Sequence, residues 1–262
     1  MLAKKKINSF FRQFFINVCI LFTCFLSIAN ANANAMKPLI NDITKMYMSS
    51  MVYIFINQPL INQKGGDKGD LFGERFIQNI KQTYFAKYDE NFPLEDHLAK
   101  RALIEAMVEV MKDNQALIYD DEIGFKGIIP ATFAFQLSAK LATKGVGLKI
   151  KFTRTEKNIR NKLNKPDKWE SSIMLKIIKK PQIYYDENAQ LNGKPAIRQF
   201  TPLPMAPYCL ACHGSPKNNP LNKNRKKSDW TNIDITGFEM ENWTMADFGG
   251  GISISIEKSV FQ

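Results

Sequence analysis

Apolar residues recur at helical spacing through the first half of the chain and at alternate positions near its end. Over residues 37–57, Leu39, Ile43, Met46, Tyr47 and Ile54 fall on one side of a helix. The run Lys-Gly-Gly-Asp-Lys-Gly-Asp at 64–70 breaks that pattern as a loop, and residues 72–86 predict a second helix. A third is predicted to about 118. Asn91 is its cap, Pro93 lies in its first turn, and Glu95 and Asp96 sit near the positive end of its dipole. On it His97, Ile104, Val108 and Met111 would share one narrow face. Pro130 opens a helix with Phe133, Leu137 and Leu141 four apart, and Gly145 and Gly147 stop it.

Periodicity then changes. Leu148, Lys149, Ile150, Lys151 and Phe152 alternate as a half-buried strand. Asp167 can cap a helix whose inner face carries Trp169, Ile173 and Ile177. Residues 183–185 and 196–200 read as strands with Asn192-Gly193 as a turn signal between them, and 252–256 alternates again. Early helices and late strands predict an α+β fold, an antiparallel sheet with helices packed on it, without internal repeat or inner linker.

The first 35 residues stand apart. Lys4, Lys5, Lys6 and Arg12 precede an apolar run from Phe14 to Ala29, and small residues follow. That is the form of a cleaved secretory signal, so 36–262 is expected to be one exported, periplasmic domain with no stable membrane span. Cleavage takes four basic residues away, lowering the formal charge from +11 to +7. Export argues against a nucleic-acid partner, so basic charge points to an acidic protein or redox partner, to the anionic membrane surface, or equally to a solvated surface.

Cleavage also removes Cys19 and Cys24, leaving Cys209 and Cys212. These lie in Tyr208-Cys209-Leu210-Ala211-Cys212-His213-Gly214, the Cys-x-x-Cys-His pattern of covalent c-type haem attachment. Two thiols must reach the two vinyl groups on one porphyrin edge, and the next residue must present an imidazole to the iron. Two intervening residues let one turn of chain do all three. Cys209 and Cys212 are therefore the expected thioether links to a single haem c, and His213 the proximal iron ligand. Competing readings fare less well. A thioredoxin-like pair would open a helix after a strand in a βαβ setting, whereas Pro202, Pro204 and Pro207 precede this motif. A structural zinc site wants four ligands in a set the mature chain barely supplies.

Around these residues the chain resembles the PAS-like c-type haem domain family, found alone in the periplasm and as the sensor part of histidine kinases and chemotaxis receptors. The resemblance runs from Ile128 to Glu257. It rests on Ile129-Pro130-Ala131-Thr132-Phe133-Ala134, on Arg154, Arg160-Asn161, Asn164, Pro166-Asp167 and Trp169-Glu170, and on the Cys-Leu-Ala-Cys-His-Gly run. Gly237-Phe238, Asp247, Gly249-Gly250 and Ile252-Ser253-Ile254 close it, and Lys162 departs from it where a proline is expected. It implies a PAS-like fold, a haem against the sheet, and a sensing or redox role served by haem-attachment machinery and a separate signalling partner.

The second iron face separates the functions. Some relatives are thought to use cysteine there, and the mature chain has no third cysteine. His97, the other histidine, lies near a helix start and reads first as a capping or surface residue and second as the candidate sixth ligand, with Met107, Met111, Met205, Met240 and Met245 behind it and an open site as the alternative. Arg154 and Arg160, in the family-like loop, are candidate partners for the haem propionates. Lys223, Arg225, Lys226 and Lys227 form a basic, asparagine-rich run that reads first as a solvated loop and second as a docking patch. Three functions follow in order: a redox or diatomic-gas sensor, a small electron-transfer cytochrome, and a peroxidase-like haem enzyme.

Overall fold

The computed structural model describes residues 36–261; the expected secretory signal lies outside them. Helix α1 (36–56) is continued after a one-residue break by α2 (Gln58–Asn62). Then come α3 (Gly73–Tyr88), α4 (Leu98–Asp113), α5 (Gln115–Tyr119) and α6 (Pro130–Lys144). Strand β1 (Leu148–Thr153) precedes α7 (Lys168–Ile177), and β2 (Tyr184–Leu191) and β3 (Lys194–Pro204) follow it. A one-turn helix, α8 (Leu210–His213), and a long irregular stretch lead to β4 (Phe248–Glu257). The four strands form one antiparallel sheet in the order β1-β4-β3-β2, so the expected α+β architecture is what the chain adopts.

Register divides the sheet into two faces. Leu148, Ile256 and Ile197 stand in one row, and Ile150 and Ile254 in the next, turned toward α1, α4 and α6. All five α1 positions picked out by helical spacing are buried there, as are Phe133, Leu137 and Leu141 of α6. The opposite face carries Lys149, Ser255 and Arg198, then Lys151, Ser253 and Phe200. Alternation predicts water on that side. Instead α7 lies over it, packing Ile173, Met174 and Ile177 against Phe200, and Ser253 and Ser255 are buried. A complete capping box starts α7, with Asp167 accepting from the Glu170 amide and Glu170 returning to the Asp167 amide. Trp169 lies partly buried against this second cluster, its indole N–H donating to Asp186.

The expected turn joins β2 to β3, with Asn192 and Gly193 both at positive φ, 51° and 81°. β2 runs further than the expected 183–185, as a register shift between Asp186 and Ala189 absorbs its polar middle. The helix expected to 118 is the main correction. It begins only at Leu98, because the His97 ring, Nδ1 accepting from the Ala99 amide, takes the capping role expected of Asn91. At its other end the Asn114 side chain donates to Val110 O and to Gln136, splitting α4 from α5.

Candidate functional site

Strand β3 ends at Pro204, and Pro207 opens a short turn, Pro207–Cys209, that runs directly into α8. Pro202 and Pro204 still pair with β4 across a register shift, whereas Pro207 cannot extend the sheet and its fixed φ suits a first turn. Cys209, Cys212 and His213 thereby share little more than one turn, and all three are partly exposed. At Gly214 the turn stops with its amide on Leu210 O. The Tyr208 ring lies 4.2 Å from that of Phe55, which ties the turn to the C-terminal end of α1.

A second segment closes over the histidine. The Trp243 amide donates to His213 O and the Asn242 amide to Gly214 O, so residues 240–243 run beside the motif. Glu241 Oε2 lies 2.9 Å from His213 Nδ1. A carboxylate only accepts, so this contact assigns the ring proton to Nδ1 and leaves the lone pair on Nε2. The Trp243 indole stacks on the imidazole, with centroids 4.8 Å apart and planes 10° from parallel.

Arg160 fastens these pieces together. Its Nε and Nη2 donate to the two oxygens of Glu241 at 2.7 and 2.8 Å, its Nη1 to Asp234 at 2.6 Å, and Nη2 also to the Cys212 and Glu239 carbonyls. All three nitrogens are spent within the protein, so Arg160 holds the site instead of waiting for a propionate. Asp234 is buried and also accepts from Thr236 and Phe238. Burial works to raise the pKa of Asp234 and of Glu241. The Thr236 hydroxyl and Arg160 more than offset it at Asp234, and His213 and Arg160 do so at Glu241, holding both carboxyls below their ordinary values. Burial first, and then Asp234, push the Cys212 thiol up to about 11, the reverse of what a redox-active thiol needs.

Arg154 is different. It follows β1 and is buried, and its guanidinium carbon lies 3.1 Å from the Trp243 ring centroid on the indole face. Its Nε and Nη1 have no hydrogen-bond partner. Burial lowers its pKa to about 10 against the opposing charges of Glu241 and Asp247. Gly250, at φ 101°, lets β4 pass here, because a Cβ would sit 2.5 Å from Thr153 O and 3.2 Å from the Arg154 Cβ. The Trp243 indole thus contacts both the imidazole and the guanidinium.

His97 is not brought to this site. Its neighbour Lys100 pairs with Asp42 of α1 at 2.6 Å, whereas Tyr208 meets Phe55, thirteen residues further along the same helix. That separation is about 20 Å of helix, so His97 caps α4 at the far end of α1 from the motif. Met107 and Met111 are fully buried in the core on α4, Met205 and Met240 are buried, and Met245 is half exposed. Lys223, Arg225, Lys226 and Lys227 are exposed, on a loop pinned by Asn219 and Asn222 to Pro216, Thr231 and Ile233. Sequence reasoning missed Glu241, Trp243 and Asp234. They lie well beyond the motif in sequence, and only the irregular path of 214–243 returns them to it.

A model of the Tll0287-like family matches residues 70–257, from the end of the glycine-rich loop through β4. No curated protein matches the chain. Among solved structures it is similar to the cyanobacterial heme-protein Tll0287, with 14% identity, 63% of this chain and 97% of that one covered, and a TM-score of 0.36. With the family match taking in well over half of its length, the chain belongs to the Tll0287-like family.

Proposed function

We propose that this is an exported protein carrying one covalent haem c, with thioether links from Cys209 and Cys212 and His213 Nε2 on the iron. Its PAS-like domain then serves as a redox or diatomic-gas sensor read by a separate partner. The observation that carries the reading is His213 itself. Its Nδ1 is held by Glu241 at 2.9 Å, its face is held by Trp243, and Nε2 is left as the ligand atom beside two partly exposed thiols. The haem reported for the family relative points the same way.

The surrounding residues fit the group. Haem brings two carboxylates, and Arg154 presents buried donors without partners one indole ring away from the proximal histidine. Bound haem supplies an iron that changes oxidation state and takes up small ligands. The chain's own part is to hold one imidazole in a fixed tautomer, to seat a propionate on Arg154, and to cover one ring face with Trp243. The high Cys212 pKa counts against a thiol redox role for the pair.

Sensing leads electron transfer because His97, the other histidine of the chain, caps α4 away from the site, which favours a bound iron left open to a small ligand. The same placement removes the distal base that a peroxidase-like reading relied on. Electron transfer has one observation of its own, the exposed strip Lys223, Arg225, Lys226 and Lys227, whose loop is fastened to Pro216 just after the motif. Among the described residues no helix is long and apolar enough to cross a membrane.

The test is the absorption spectrum of the mature protein made with a haem-attachment system, reduced, with and without carbon monoxide. Covalent haem bands that survive denaturation and shift with carbon monoxide are the expected result. Bands that carbon monoxide leaves unchanged would turn the reading to electron transfer, and a chain without covalent haem would end it.

A further inference from the structure

The contact between His213 and Glu241 is built more firmly than orienting one ring requires. Glu241 and Trp243 are alternate residues of one segment, and they take the edge and the face of the same imidazole. Glu241 is in turn gripped at both oxygens by Arg160, which is anchored to Asp234 and to the Cys212 carbonyl. The proximal ring, its carboxylate and the attachment turn therefore move as one body.

A carboxylate on the Nδ1 proton does more than point the ring. It draws that proton toward itself and leaves more electron density on Nε2, making the imidazole a stronger donor. A stronger donor favours the more highly charged ferric iron. Arg160 works against this, because two of its N–H groups draw on the same two oxygens. The donor strength of His213 is thus set by how the charge of Glu241 is divided between the imidazole and Arg160.

We infer that Glu241 is the positioning residue that tunes the proximal ligand, holding His213 as a strong donor and the centre toward its oxidised form, with Arg160 limiting the effect. The inference rests on the covalent-haem reading above.

The closing experiment measures the midpoint potential of the haem-loaded protein and of Glu241→Gln, with haem loading checked on a denaturing gel. Glutamine keeps a hydrogen-bond acceptor in place and removes the charge. The expected shift is about tenfold toward the reduced form, on the scale by which such partners alter metal affinity, or about 59 mV upward for one electron. Glu241→Asp, which keeps the charge, is expected to lie between Glu241→Gln and the native protein. An unmoved potential in loaded Glu241→Gln overturns the inference, leaving Glu241 a structural brace. If Glu241→Gln does not load, Arg160→Lys decides. It keeps the positive charge but loses the two-pronged grip, so the potential should fall, and no change overturns the inference. A native chain without covalent haem removes the parent reading and this inference together, whereas a loaded native chain with unmoved variants removes this inference alone.

Discussion

Two clusters of charge both draw residues from the β1–α7 connection, Asp167 in one and Arg154 and Arg160 in the other, and they are finished differently. Under α7, Arg198 Nη2 donates to Asp167 at 2.8 Å and Glu170 at 3.2 Å, and Lys151 meets the other oxygen of Glu170 at 2.5 Å. Two cations face two anions, and those anions also start α7. Arg198 leaves Nε without a partner, and its guanidinium carbon lies 4.2 Å from the Trp169 ring centroid. Around His213, Arg160 pairs with Asp234 and Glu241 in the same closed way. Arg154 is the addition, a second buried cation with two idle nitrogens and no hydrogen-bonded anion. A fold meets the cost of burying charge by pairing it. Arg154 is left without such a pair.

The largest effect should come from breaking the closed pair at the site. Arg160→Met strands Asp234, whose side chain is fully buried, together with Glu241. Removing one partner of such a pair costs about 3–5 kcal/mol. Urea unfolding of the loaded protein should show that loss together with a changed haem spectrum. Arg198→Met should cost about 3 kcal/mol, the lower end of that range, because Lys151 still holds Glu170. Its haem spectrum should stay native. Were both variants to alter the spectrum equally, the two clusters would not be separate in function.

Arg154→Met sharpens the comparison further. In haem-free protein it removes a buried, unpartnered cation, a change that is neutral or stabilising. If Arg154 holds a propionate as proposed, the same change in loaded protein should destabilise by about 1–3 kcal/mol. Thermal unfolding of the two forms should therefore move in different directions. Equal loss in both would mean that Arg154 is held by the protein alone.

What could be read beforehand divides along similar lines. The core face was legible because burial there follows a period: α1, α6 and β1 have their apolar residues at the spacing their geometry demands. So was the turn that carries Cys209, Cys212 and His213, since the motif is confined to five consecutive residues. The buried serines of β4 were not. Alternation reports that one side of a strand is polar, and it does not report that α7 will cover that side. His97 read first as a capping or surface residue and is the cap, whereas its spacing to Ile104 and Met111 has meaning only inside a helix that starts one residue after it. Arg154 and Arg160 looked alike as candidates. Their partners come from the coil at 234–247, where no period exists to carry a signal, and those partners are what tell them apart.

The smallest effect separates the clusters by pH. Asp167 and Asp234 both have depressed pKa values in the folded chain. Burial acts to raise each, and is outweighed by the Glu170 amide and Arg198 at Asp167, and by Thr236 and Arg160 at Asp234. A carboxyl depressed on folding contributes stability that is complete above its unfolded value, about 3.9 for aspartate, and that is lost as pH falls through the folded value. Acid should therefore weaken both clusters, with no effect near neutrality. Asp234 has no exposed side-chain surface, whereas 41% of the Asp167 side chain is exposed and its ion pair is screened by water. Unfolding midpoints followed below pH 4 should accordingly flatten more in Asp234→Asn than in Asp167→Asn. The reverse order would place the acid-sensitive charge under α7, and the cluster around His213 would then owe its stability to packing more than to pairing.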